Sequence, residues 1–191
     1  MISLTNIDIN KFVNTKELPE PASKNCQLKI GEGGGQHIIL FQGYLSCDDF
    51  PKYLVKLTKF MLCLFEKEFP NVQIINIYTE HRLYIFDDKP FIGTIHHDRA
   101  QYTVLCYLDI GTDIVGGELA FYNGKCGVDE FDNHDVHVHN HVMMHGTFAG
   151  SIKPKIGDIV IFNGLHSITK TYASGKSNRR AIWALFINDT H

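Results

Sequence analysis

The chain has 191 residues, of which 44 % are hydrophobic and 20 % charged, with a formal net charge of −3. This is ordinary globular usage and excludes a disordered or fibrous chain, and the size suits one compact domain with a sizeable core. Lys and Arg are scattered rather than clustered, so the chain offers a polyanion no basic face and nucleic acid is not expected as a partner.

Cys26, Cys47, Cys63, Cys106 and Cys126 are odd in number and form no C-x-x-C pair. Neither a disulfide framework nor a cysteine zinc site is indicated, and free thiols fit a reducing compartment. The opening Met1-Ile2-Ser3-Leu4-Thr5-Asn6 lacks a basic region before an apolar run, and no apolar stretch is long enough to span a bilayer. The expectation is a soluble, intracellular, cytoplasmic protein with no membrane partner.

Residues 1–36 are polar, with Pro19, Pro21 and a Gly31-Glu32-Gly33-Gly34-Gly35 run, and read as an irregular segment with one short strand at Gln27 to Ile30. The glycine run is not followed by Gly-Lys-Ser/Thr, so it carries no phosphate-binding signature. His37 to Tyr44 is an apolar run suited to a buried strand. Ser46, with Asp49 three residues on, predicts a helix start, and Phe50, Tyr53, Leu54, Leu57, Phe60, Met61, Leu64 and Phe65 recur at helical spacing up to Pro70. That stripe predicts a helix packed on a sheet.

From Val72 the texture changes to β-branched and aromatic runs separated by turn residues: 72–79, 82–86, 91–98, 102–109 and 117–122. Residues 123–150 interrupt the pattern as a long loop bearing His134, His137, His139, His141 and His145, before strand character returns at Lys153 to Phe162 and Arg180 to Ile187. Many short strands beside one helix predict a mainly β fold with a flanking helix, a double-stranded β-helix or jelly roll. It spans residues 37–191 as a single domain after the irregular N-terminal segment.

The chemistry starts at His96-His97-Asp98. On a strand His96 and Asp98 project the same way, and with one more histidine, His166, they make two imidazoles and a carboxylate on one face of a metal. An open opposite face suits non-haem Fe(II) used for oxygen chemistry. His-x-Asp alone is a weak signal. Its strength here comes from the order of the residues beyond it in the chain: a Gly157-Asp158 turn, a buried strand, His166 and then Arg179.

In that order the sequence resembles the 2-oxoglutarate and Fe(II)-dependent dioxygenases, and among them the prolyl-4-hydroxylase-like branch. The likeness is carried by His96-x-Asp98, Thr103-Val104-Leu105-Cys106-Tyr107-Leu108, Gly116-Gly117-Glu118-Leu119-Ala120-Phe121, Lys153-Pro154-Lys155-Ile156-Gly157-Asp158, His166 and Arg179-Arg180-Ala181-Ile182. It implies His96, Asp98 and His166 as iron ligands, Arg179 as the partner of the distal carboxylate of 2-oxoglutarate, and Tyr107 as a second contact to that carboxylate. The implied cofactors are Fe(II), 2-oxoglutarate and O2, with ascorbate as a reductant. The implied reaction hydroxylates a C–H bond of a peptide, protein or small molecule, a prolyl residue first, with release of succinate and CO2.

A guanidinium matches a carboxylate as a planar fork, which supports an arginine in that role. Arg179, Ala181 and Trp183 share one strand face, so small Ala181 would leave room for the cosubstrate. Arg180 is the competing choice, because a one-residue slip in register exchanges the two. Two features depart from the family pattern: the long loop at 123–150, and Phe86 where many members place a tyrosine, with Tyr84 as its substitute. His137, His139 and His141 alternate and would form a one-faced ladder able to bind metal or meet substrate. The alternative reading is therefore a non-catalytic, cupin-like jelly-roll module that binds a metal or ligand through that loop.

Overall fold

The structure is a computed structural model, and it describes residues 2–14, 27–30, 36–46, 48–85, 91–92, 98, 100–111, 114–123, 147–164, 168–174 and 179–189. Eleven strands and one α-helix are described: β1 (Ile2–Asn6), β2 (Gln27–Ile30), β3 (Gln36–Tyr44), α1 (Val55–Glu68), β4 (Ile74–Ile85), β5 (Phe91–Ile92), β6 (Tyr102–Ile110), β7 (Val115–Asn123), β8 (Thr147–Ile152), β9 (Asp158–Asn163), β10 (Ile168–Ser174) and β11 (Arg179–Asp189). They form a seven-stranded sheet ordered β1-β9-β6-β11-β4-β3-β2 and a four-stranded sheet ordered β5-β10-β7-β8. Neighbouring strands run antiparallel throughout. Two antiparallel sheets with crossovers between them are the jelly roll that the strand pattern predicts.

The larger sheet is covered on both faces, and period-two alternation sorts its residues between two cores. Toward α1 lie Leu83 of β4, Val104, Cys106 and Leu108 of β6, Ile159 and Ile161 of β9, and Ala181, Trp183, Leu185 and Ile187 of β11, packed on Leu57, Met61 and Phe65 of the helix. Toward the smaller sheet lie Tyr84, Leu105, Tyr107, Val160, Phe162, Ile182 and Ala184, packed on Leu119 and Phe121 of β7. Double coverage is why β6, β9 and β11 read as nearly unbroken apolar runs. Trp183 is anchored to the helix layer by its Nε1–H, which donates to Thr58 Oγ1 at 3.0 Å.

Several details differ from the sequence reading: residues 147–150, read as the end of the long loop, belong to β8, and the strand read from Lys153 begins at Asp158. The helix begins at Val55, not near Ser46, after a 3-10 turn at Lys52–Leu54 with Pro51 in extended conformation ahead of it; a proline is tolerated at a helix start but not within one. The runs read at 72–79 and 82–86 join in one strand, β4, which spans Ile74–Ile85. Within the N-terminal segment read as irregular, β1 pairs with β9 from Ile2↔Phe162 to Asn6↔Asp158, and Ile9 and Val13 enter the helix-side core. Asn6 explains the register lock: its amide donates to Asp158 Oδ1 at 2.7 Å. Among the described residues no helix is long and apolar enough to cross a membrane.

A buried imidazole sits beneath the helix. His81 of β4 is fully buried, with Nδ1 3.0 Å from the Tyr53 hydroxyl and no hydrogen-bond partner for Nε2. Burial pushes its pKa down to about 4. The folded state therefore holds His81 neutral while the unfolded chain protonates it near its ordinary value of 6.5, so this contribution is complete above that value and is lost as pH falls toward 4. Between pH 7 and pH 5, wild type should lose about 2 kcal/mol more unfolding free energy than His81→Gln in urea denaturation; equal losses would show that His81 is not held neutral.

Candidate functional site

Two tertiary hydrogen bonds assemble the region around the His-x-Asp motif. Asp98 N–H donates to the Gly164 carbonyl at 3.0 Å, and Gly164 N–H donates to the Gln101 carbonyl at 2.9 Å. The chain just before β6 is thus stitched to the chain just after β9, although more than sixty residues separate them. Gly164 allows the approach because it has no side chain: a Cβ there would press on the Ala100 carbonyl, sit 2.8 Å from Thr103 Oγ1 and 3.1 Å from Asp98 Cβ. Buried Thr103 completes the seat, its hydroxyl donating to Asp98 Oδ2 at 2.6 Å. A short charge-assisted bond of this kind fixes a carboxylate's orientation as well as its position.

His96 and His166 lie outside the described residues, as do His137, His139 and His141 of the long loop. Among the described residues no group of three His, Cys, Asp or Glu side chains converges. Of the three proposed ligands, Asp98 alone is described: it is oriented by Thr103, and the backbone two residues before position 166 is bonded to it.

The strand phase of β11 bears on the room that small Ala181 was expected to leave: Ala181 and Trp183 face α1 and do not open onto the space between the sheets. The inter-sheet face carries Arg180, Ile182 and Ala184. Arg179 takes part in β11 through its backbone, paired with Ile85, and its side chain lies outside the described residues.

Arg180 is 2 % exposed and enclosed by aromatic rings. Its guanidinium carbon lies 4.9 Å from the Tyr84 ring centroid and 5.8 Å from that of Tyr107. Nη1 donates to the Gly117 carbonyl at 2.9 Å, while Nε is buried with no hydrogen-bond partner among the described residues. Among the described residues no carboxylate pairs with it. Gly116 and Gly117 have φ of 78° and 83°, a conformation in which a side chain would be strained. The Gly-Gly motif thus turns a carbonyl to the guanidinium, and it is the sequence signal that points to Arg180.

Tyr107 is buried between the sheets, and its hydroxyl is pushed up to about 12, by desolvation first, with nearby Arg180 pulling the other way. It stays protonated at any physiological pH and can donate a hydrogen bond to an anion. Tyr84 stacks on His37 of β3 with ring centroids 4.7 Å apart and planes 9° from parallel. Two tyrosines and one arginine therefore line the same end of the space between the sheets, which is chemically a seat for a carboxylate in a dry, low-dielectric setting.

No family model and no curated relative matches the chain. Solved structures do. An oxidoreductase of the 2OG-Fe(II) oxygenase family from Burkholderia pseudomallei aligns with a TM-score of 0.52 at 10 % identity, over 93 % of this chain and 78 % of that one. A prolyl hydroxylase from Trichoplax adhaerens, in complex with a hypoxia inducible factor oxygen degradation domain peptide fragment, aligns with a TM-score of 0.52 at 11 % identity, over 98 % and 83 %. IDO from Bacillus thuringiensis aligns with a TM-score of 0.47 at 10 % identity, and the chain spans only 60 % of its length. The chain has the jelly-roll fold of the 2OG-Fe(II) oxygenases, and at these identities the likeness is one of fold.

The Asp98 seat makes its own prediction. Gly164→Ala should cost about 1–3 kcal/mol of stability by forcing the two segments apart, read from denaturant midpoints, and a neutral result would mean that the stitch is loose.

Proposed function

We propose that the chain is an Fe(II)- and 2-oxoglutarate-dependent dioxygenase that hydroxylates a C–H bond. The observation that carries this reading is Arg180: a buried guanidinium with an unpartnered Nε, no carboxylate partner among the described residues, and two tyrosines around it. Burying a cation without an anion is costly, and a bound carboxylate removes that cost. Arg180 takes the role that the sequence resemblance assigns to Arg179, and Tyr107 donates its hydroxyl proton as a hydrogen bond to the same carboxylate.

His96, Asp98 and His166 would hold the iron, which with the keto acid and O2 supplies the oxidising chemistry. The chain's own residues do the rest. Thr103 sets the orientation of the Asp98 carboxylate. Arg180 and Tyr107 fix the far end of the keto acid, so that its reactive end has one position along the barrel. Leu105, Leu119, Phe121, Val160, Phe162 and Ile182 keep the space between the sheets apolar, and exclusion of water limits side reactions.

For the primary substrate, a prolyl residue in a peptide or protein is the first choice, on the resemblance of sequence motifs to the prolyl-4-hydroxylase-like branch. One fold neighbour, the Trichoplax adhaerens prolyl hydroxylase, is in complex with a peptide, which supports that choice without deciding it.

Anaerobic titration of the full chain with Fe(II) and 2-oxoglutarate should give the weak visible absorption band of an iron-bound keto acid. His166→Ala should abolish the band, and a triple alanine variant at His137, His139 and His141 should keep it. Arg180→Gln should raise the keto-acid concentration at half-saturation about 10- to 100-fold, the loss of a charge-assisted pair of roughly 1.5–3 kcal/mol, whereas Arg179→Gln should leave it within about 3-fold. A band that depends on the loop histidines would replace this reading with the binding-module one. With the band established, proline-containing peptides should gain one oxygen atom by mass spectrometry; no product from any of them would remove the prolyl assignment.

A further inference from the structure

The edges of the two sheets are unequally guarded. Among the described residues the larger sheet ends in β1 and β2 and the smaller in β5 and β8. An open edge is a row of unpaired N–H and C=O groups, and folded chains blunt it with charge, a bulge or shortness. β2 carries Lys29, β5 has two residues, and β8 holds Gly150 at φ 145° beside a register shift in its pairing with β7. β1, Ile2-Ser3-Leu4-Thr5-Asn6, has no charge, no proline and no shift in its pairing with β9. Of these four edges it is the one left unguarded.

The direction of its backbone groups follows from the register. Ile7 N–H donates to the Gly157 carbonyl at 3.0 Å, and the same alignment runs on from Asn6↔Asp158 to Ile2↔Phe162. Hydrogen-bonded positions alternate along an antiparallel pair. Thr5 and Ser3 therefore bond to β9 as Ile7 does, and Ile2, Leu4 and Asn6 turn their N–H and C=O groups outward. The same three residues share a side-chain face. Ile2 is 45 % and Leu4 52 % exposed, because the smaller sheet does not cover them as it covers Phe162 and Val160 opposite. Ile156, also 45 % exposed, lies at the Asn6 end, where the Asn6 amide donates to its carbonyl at 3.3 Å.

We propose that β1 is a homodimer contact: two copies of the chain pair antiparallel through β1 about a two-fold axis at Leu4, joining their larger sheets edge to edge. The strand is complementary to itself. With Leu4 opposite Leu4 of the second copy, Ile2 stands opposite Asn6, and the outward N–H and C=O groups of all three residues find partners. An axis at Ser3 would leave Asn6 unpaired. Ser3 and Thr5 meet on the other face, a hydroxyl pair that is favourable across strands.

The charges agree with a second copy as the occupant. The chain has a net charge of −3, so two copies repel in general, and an uncharged strand lets them meet without opposing like charges. Apolar contact comes from Leu4 on Leu4 at the axis, with Ile2 of each copy reaching the Asn6 end of the other. A five-residue strand on each side is a small contact, below the roughly 1,200 Å² of total burial found in stable interfaces. The dimer is therefore concentration-dependent. It is independent of the chemistry proposed above.

Sedimentation velocity on the full chain, from about 5 µM to about 1 mM, tests it. Wild type should pass from the mass of one chain toward that of two. Leu4→Lys sets two ammonium groups against each other at the axis and should weaken association at least about 10-fold, while Leu4→Val should associate as wild type does. Thermal melts confirm that the variants fold. Directly opposed residues have Cα atoms about 5.5 Å apart, within the span of a disulfide. Mild oxidation of Leu4→Cys should therefore yield a peptide joined to itself at position 4, identified by mass spectrometry, and Thr5→Cys should yield no such peptide. Wild type that stays at one chain's mass at the highest concentration overturns the proposal. So does association undiminished in folded Leu4→Lys, growth past two copies as β1 pairing with β2 would give, or an associating Leu4→Cys variant with no link at position 4.

Discussion

Strand β11 is paired on both edges, with β4 and β6, and covered on both faces, and the rest of the site depends on that double burial. A strand so enclosed has one phase only, since a slip by one residue would carry Trp183 out of its pocket beside α1 and break its bond to Thr58. The helix is therefore part of the site's geometry although it lies on the far side of the sheet. By holding Trp183, α1 decides that Arg180 points between the sheets.

The cost of that arrangement is a guanidinium removed from water. Cation–ring contacts with Tyr84 and Tyr107 and the carbonyl of Gly117 offset part of it. The unpartnered Nε shows that they do not offset all of it. A fold that only needed packing would place an aliphatic side chain at position 180, as it does at Ile182 and Ala184. The ion pair at Glu80 and Arg82 shows the contrast: there the charge is matched at Nε by a carboxylate.

At the other end of the interior the constraint is backbone rather than charge. Asp98 is fixed by its own N–H to Gly164 and by its carboxylate to Thr103, so the fold sets the carboxylate with one residue distant in sequence and one nearby. Support of this kind holds the Asp98 carboxylate in one geometry.

Much of this was legible in the chain alone. Period-two runs separated by turn residues specify strands because side chains on a strand alternate, and the helical stripe from Phe50 to Phe65 specifies a helix with one buried face. Motif order specified Asp98 and Tyr107 as candidates. Long-range pairing was not legible: β1 is a short run in a polar segment and becomes a strand only because β9 offers it an edge. The phase of β11 was hidden for a related reason. Ala181, Trp183, Leu185 and Ile187 are as apolar as Ile182, Ala184 and Phe186, so hydrophobicity cannot tell which face meets the helix, and packing alone puts Arg180 on the inter-sheet face. Sequence determines local periodicity because periodicity is a property of the backbone; tertiary structure alone assigns the faces, because that depends on which partners the other strands and the helix bring against them.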